Sequence, residues 1–388
     1  MKKTLIASAV LGLLASSNAF ANNSESEETQ QLRKIIAEQQ KVLQKLERRL
    51  DETENRLEST AEQVEASVEH SSATKLGGYG ELHYNNMDDK KSLDFHRFVL
   101  FASHEFTNKL RFFSELEIEH VIASHDSEHP GEVELEQAYI EYDINDKTTA
   151  KMGLFLVPVG IINETHEPPA FYGVERNPVE KNIIPATWWE GGAAFNYKAM
   201  PGLSFDVALT SGLNVGDDYK VRGGRQKVAK ANADSLAFTS RVKYTAINGL
   251  ELAATIQYQQ DLTQDTVGVD KADATLVELH GIYQVNNFTV KALYARWDID
   301  GAEAKALGRD EQTGWYVEPS YKVNEKFGIF ARYAEYDNNA GNSDDTSKDQ
   351  TNLGINYYLH ENVVLKADWE EHGNSNKNGF NLGLGYQF

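Results

Sequence analysis

From Lys75 to Phe388 the chain alternates apolar and polar residues with a period of two, in sixteen segments of about ten residues each. This pattern constrains the fold more than any other feature, because every such segment has one apolar and one polar face and must satisfy both. The connections are short and long in turn. Seven short ones lie near residues 107–109, 145–147, 199–202, 248–249, 286–287, 324–326 and 360–362, and carry Asn, Gly, Asp and Pro turn chemistry. Eight longer polar ones lie near 88–92, 124–131, 161–190, 212–234, 262–271, 299–312, 338–348 and 373–378. An even-stranded antiparallel meander follows.

The faces show which solvent each side meets. Leu250, Leu252, Ala254, Ile256 and Tyr258 share one face of their segment, and Glu251, Thr255, Gln257 and Gln259 the other. In the last segment Phe380, Leu382, Leu384, Tyr386 and Phe388 oppose Asn381, Gly383, Gly385 and Gln387. A soluble sandwich would bury its apolar face between two sheets. The regular connection lengths and the aromatics near segment ends (Tyr142, Tyr244, Tyr357, Trp369, Phe388) instead favour a barrel whose apolar face meets lipid and whose polar face meets water. Such an inverted protein spans a bilayer with a low mean hydropathy.

The first residues differ. Lys2 and Lys3, an apolar run from Leu5 to Leu14, and Ala19 and Ala21 read as a secretory signal over 1–21, too short to cross hydrocarbon. Residues 22–74 read as a periplasmic coiled coil, with Ile36, Leu43, Leu50, Leu57 and Val64 repeating every seven residues and polar residues weakening the other seam. The barrel is expected over 75–388. The chain has no cysteine, so the fold does without disulfides, and its net charge of -21 argues against a nucleic-acid partner.

The stretches LGGYGELHYN, EVELEQAYIEY followed by KMGLFLVPVGI, WWEGGAAF and the terminal GYQF resemble outer-membrane porins of the phosphate-selective O/P type. Members with an N-terminal periplasmic coiled coil, of the dicarboxylate-porin kind, are similar to the whole chain. The resemblance implies a transmembrane antiparallel 16-stranded β-barrel, a homotrimer, and diffusion of small solutes through each protomer. This chain departs from the basic channel lining of that group: residues 75–388 hold 29 Lys and Arg against 47 Asp and Glu.

Connection 161–190 is the longest and holds Pro168, Pro169, Pro178 and Pro185, four of the eight prolines, which stiffen its path. It is expected to fold into the lumen and place Glu164, His166, Glu167, Arg176, Glu180 and Lys181 at a constriction. A basic stretch, YKVRGGRQKVAK, supplies Lys220, Arg222, Arg225, Lys227 and Lys230 at the mouth. Arg97, Arg111, Arg241, Lys243 and Lys366 are candidate cations of the wall. Carboxylates recur at every second position in RFFSELEIEH and EVELE, so Glu115, Glu117, Glu119, Glu132, Glu134 and Glu136 are expected on one water-facing side. Glu119 is placed opposite Glu136 and Val121 opposite Glu134. Three roles stay open for them: cation preference, pairing with neighbouring cations, or a divalent metal held with His120, His125 and His129. Pairing is preferred, and no metal or cofactor is assigned.

There is no glycine-rich phosphate loop, nucleophile elbow or His-Glu-x-x-His helix, so no enzyme is expected. The reading is an outer-membrane porin for small hydrophilic, anionic (phosphate or carboxylate-type) solutes. Its partners are further copies of itself, outer-membrane lipid and lipopolysaccharide, with peptidoglycan a further partner of the coiled coil. An iron-chelate (siderophore) uptake porin is the alternative within transport, and an envelope tether or adhesin barrel the alternative outside it.

Overall fold

The computed structural model describes residues 73–121, 131–373 and 377–388, together with positions 36 and 42. The chain divides into two units, Met1–Ser72 and Ala73–Phe388. The signal segment lies outside the described residues. So does the coiled coil, apart from helical, exposed Ile36 and Val42 and the junction residues 73 and 74.

The second unit holds sixteen strands. β1 (Thr74–Met87), β2 (Lys91–Thr107), β3 (Leu110–Glu119) and β4 (Val133–Asn145) lead into β5 (Thr148–Leu156), β6 (Trp189–Met200), β7 (Leu203–Thr210) and β8 (Ala237–Tyr244). The second half comprises β9 (Leu250–Gln259), β10 (Asp273–Val285), β11 (Phe288–Asp300), β12 (Glu311–Lys322), β13 (Phe327–Asp337), β14 (Lys348–His360), β15 (Val363–His372) and β16 (Gly379–Gln387). Each pairs antiparallel with its neighbours in sequence, and β16 returns to β1, with Tyr84 opposite Leu382. Closure leaves no unpaired sheet edge, a necessity where lipid offers no hydrogen bonds.

The two faces separate as the alternation requires. Leu252, Ile256 and Tyr258 of β9 are exposed outward, whereas Thr255, Gln257 and Gln259 are buried inside. Tyr142, Trp369 and Phe388 are among the exposed aromatics. On β3, Leu116 is exposed and Glu115 and Glu117 are buried, the only affordable arrangement if a charge on the lipid face costs about 2–4 kcal/mol at mid-bilayer.

The expected register between β3 and β4 is wrong. Glu117 faces Glu134, and the Glu119 amide donates to Glu132 O at 2.8 Å, so Glu119 stands opposite Glu132 rather than Glu136. The physical reason is where β3 stops: His120 and Val121 turn left-handed (φ 50° and 37°), so the chain leaves the sheet earlier than a strand running through Val121 would. A bulge next to this pairing sets Glu115 opposite Gln137 and leaves Glu136 as the extra residue, buried on the same side as its neighbours.

Two long connections fill part of the interior. Residues 157–188 contain a 3-10 turn, Pro168–Ala170, and the helix α1, Pro178–Asn182. Asn177 caps α1 by accepting the Val179 amide, and Pro178 occupies its first turn, where a missing N–H costs nothing. Residues 211–236 contain a second 3-10 turn, Val221–Gly224. Val179, Ile183, Ile184 and Trp188 of the first connection and Leu213 and Val221 of the second pack on Leu276, Leu293, Trp297 and Tyr316 of β10 to β12. The apolar core of this barrel is therefore inside it, against one wall.

Candidate pore constriction

The connection 157–188 is tied at its base by one side chain. Asn163 Nδ2 donates to Val157 O (2.8 Å) and Trp188 O (3.0 Å), and its Oδ1 accepts the Trp188 amide at 2.7 Å. From there the loop crosses the lumen and touches strands all around it. Glu164 pairs with Arg241 of β8. His166 approaches Glu115 and Glu136 on β3 and β4. Lys366 of β15 donates to Gly173 O at 2.9 Å, and the Val174 amide to Asp368 Oδ2 at 2.8 Å. Glu175 Oε1 lies 3.2 Å from His83 Nδ1 of β1. Trp297 Nε1 donates to Ile183 O at 2.8 Å. Glu180 belongs to this framework and not to a pore lining. Its oxygens accept the Ile161 and Ile162 amides (3.0 and 2.6 Å) and the Tyr316 hydroxyl (2.7 Å), and it is buried.

Facing the loop is an acidic wall. Arg97 bridges Glu81 (2.8 Å) and Glu117 (3.0 Å). Arg111 stands farther along β3 and is taken by Glu141 and Asp143, both at 2.6 Å, so it does not neutralise Glu115, Glu117 or Glu119. The cation that meets the outer carboxylates comes from the basic stretch: Lys227 pairs with Glu132 (2.7 Å) and with Glu134. Lys243 lies 3.6 Å from Glu251, and Lys220 lies 3.4 Å from its own neighbour Asp218. Lys366 sits 3.6 Å above the Phe171 ring, and Lys230 is exposed.

Four further cations have no acidic partner in direct contact among the described residues. Among the described residues, none of Arg176, Lys181, Arg222 and Arg225 forms an ion pair, although carboxylates outnumber cations throughout the barrel. The guanidinium groups bind neutral oxygens instead. Arg176 donates to Thr187 Oγ1 (2.5 Å), Arg222 to Lys181 O (2.5 Å) and Ala186 O (3.0 Å), and Arg225 to Thr187 O (2.6 Å). The two loops are thus stitched together through the stretch 181–187. The pKa of Arg222 is pushed down, by burial first and then by Arg225 and Arg176.

Of the other candidates, Glu167 immediately precedes the Pro168–Ala170 turn and is half-buried. His120 Nδ1 lies 2.8 Å from Asp94, whereas His125 and His129 lie outside the described residues. Sequence reading missed Glu81 and His83, whose inward alternation in LGGYGELHYN was a usable signal. It also missed Glu175 and Thr187, for which a loop sequence carries no periodicity to read.

The sequence profile described as phosphate-selective porin O and P matches residues 38–378. A protein of Aquifex aeolicus (strain VF5) is 32% identical over 328 residues, covering 76% of this chain and 74% of that one. Among solved structures, the anion-selective porin from Comamonas acidovorans superimposes with a TM-score of 0.58 at 13% identity, over 82% of this chain and 100% of that one. OmpT of Vibrio cholerae, in a trimer form, gives 0.54 at 14% identity, over 81% and 99%.

Proposed function

The chain belongs to the phosphate-selective porin O and P family of outer-membrane channels, and from that premise we propose that it passes small hydrophilic anions of phosphate or carboxylate type. The observation that carries this reading is the set of four cations without acidic partners, Arg176, Lys181, Arg222 and Arg225, on the two loops that enter the lumen. None of the four is in direct contact with a carboxylate among the described residues, whereas much of the acidic wall is tied up by Arg97 and Lys227. In this reading the loop 157–188 sets the narrowest point, and an anion exchanges its hydration for guanidinium contacts there. Arg241, held by Glu164 and Asp206, is structural.

The chain is proposed to act as a homotrimer in the outer membrane, with residues 22–74 a periplasmic coiled coil and peptidoglycan its further partner. Reversal potentials across planar bilayers in asymmetric KCl test the channel reading. Conductance steps with chloride preference are expected. Cation preference overturns the anionic reading alone, and a protein giving no steps overturns the diffusion channel in favour of a tether.

A further inference from the structure

Where the constriction loop meets the acidic wall, three donor atoms converge without hydrogen bonds. His166 Nε2 lies 3.4 Å from Glu115 Oε1 and 3.5 Å from Glu136 Oε2, and the three side chains are 4%, 1% and 1% exposed. Among the described residues none of these three atoms has a hydrogen-bond partner. Buried polar atoms normally do, and buried ionised groups almost always do.

The proton on the His166 ring is accounted for elsewhere. Its Nδ1 is 3.2 Å from Asn163 O, which can only accept, so Nδ1 carries a hydrogen, and in the tautomer with that hydrogen alone the Nε2 lone pair points at two carboxylate oxygens. Three lone pairs facing one another repel. An imidazolium that donated to both carboxylates would draw them to about 2.7–2.9 Å, the range of charge-assisted bonds. The two distances from Nε2 instead match edges of a tetrahedron of donors around an ion with bonds of about 2.0–2.2 Å, an edge of roughly 3.3–3.6 Å, and all three donor atoms lie within 4.8 Å of one another.

We propose that His166, Glu115 and Glu136 hold one divalent transition ion of the zinc class, pinning the constriction loop to β3 and β4. One imidazole and two carboxylates suit zinc, whereas calcium and magnesium prefer oxygen donors alone. An outer layer is already in place. Asn163 O orients the imidazole, and Gln137 Nε2 donates to the other oxygen of Glu115 at 2.7 Å. Tyr79 is fully buried with its hydroxyl unpartnered, and its ring meets His166 edge-on at 6.0 Å. It can hydrogen-bond a water in the fourth position. The β4 bulge sets Glu136 as the extra residue beside Glu115 and Gln137. The site is independent of which solute the channel passes.

The test uses the full chain in detergent, stripped with EDTA and dialysed against Zn²⁺, with bound metal read by elemental analysis and folding of every variant checked by the resistance of the barrel to SDS before heating. One tightly held zinc per chain is expected. It should be lost in His166→Gln and Glu136→Gln, weakened about 10–100-fold in Gln137→Leu, and retained in His120→Ala, which removes a ligand from the separate Asp94–His96–His120 group. Cobalt in its place should give the visible absorption of a tetrahedral centre. The proposal is overturned if folded wild type retains no zinc, if His166→Gln and Glu136→Gln bind as wild type does, if His120→Ala abolishes binding, or if calcium binds as tightly as zinc. Should His166→Gln fail to fold, Gln137→Leu decides, and unchanged affinity there overturns it.

Discussion

The two walls of the lumen hold the same loop by different physics. Against β10 to β12 the loop buries Val179, Ile183 and Ile184 on Leu276, Leu293, Trp297 and Tyr316, a contact that is apolar save for the Trp297 and Tyr316 hydrogen bonds. Against β1 to β4 it meets His83, Glu115 and Glu136, beside Glu81, Arg97 and Glu117, all six of them polar and buried. Apolar burial has no direction and tolerates salt, so the first wall fixes where the loop lies. Charged groups are costly to bury and sensitive to every neighbour, so the second wall is where the loop's position responds most to a change of charge. A solute channel needs both, because a selective field is useful only if the groups producing it stay in place.

The comparison breaks most visibly if the loop is removed. Deleting residues 168–184 should raise single-channel conductance severalfold, and unchanged conductance would show that the loop narrows nothing. Trp297→Ala should cost about 3–5 kcal/mol in thermal or denaturant unfolding, as for other buried tryptophans. It should also make the conductance noisy while leaving the sign of selectivity alone. Arg97→Met strands Glu81 and Glu117 without their cation, a loss of similar size, about 3–5 kcal/mol. It should shift reversal potentials toward cations with the loop still in place. If Arg97→Met and Trp297→Ala produce the same electrical signature, the two walls do not differ in role. The smallest effect belongs to the mouth: Arg222→Glu changes local charge by two, at about 1 kcal/mol per charge in water at 4 Å. Chloride preference should fall by about fivefold for each charge unit, and loss of the Arg222 bonds to Lys181 O and Ala186 O should cost about 1–3 kcal/mol of stability.

The outer face of this molecule was legible in its sequence, and the inner face only partly so. Lipid imposes a single rule on outward positions, so Leu252, Ile256 and Phe380 could be assigned from alternation alone, as could all sixteen strands. The inward positions obey several rules at once. Glu115 and Glu117 were placed on the correct side, but their partners were not. The register depends on His120 and Val121 turning left-handed and on the bulge at Glu136, neither of which has a period. Proline content drew attention to residues 161–190, yet the apolar anchor of α1 and the structural use of Glu180 depend on strand residues about 90–140 positions away in sequence. Contacts of that kind leave no local trace. Arg222 and Arg225 were read as a cluster at the mouth, and their bonds to Lys181 O, Ala186 O and Thr187 O show that the same residues also brace the neighbouring loop.

The position of the loop bears finally on how the sheet seals. At the seam where the first strand meets the last, a Cβ on Gly385 would stand 2.3 Å from the Pro168 side chain, and one on Gly383 would stand 3.2 Å from Val174. Glu175 reaches His83 on the other side of the same seam. The closing strand has thus been emptied of side chains where the loop passes over it. Sliding that strand by two residues would bring Asn381 or Gln387 toward the spaces now kept by glycine. The loop therefore acts as a gauge for closure: only the correct alignment of the two chain-terminal strands leaves it room to lie flat.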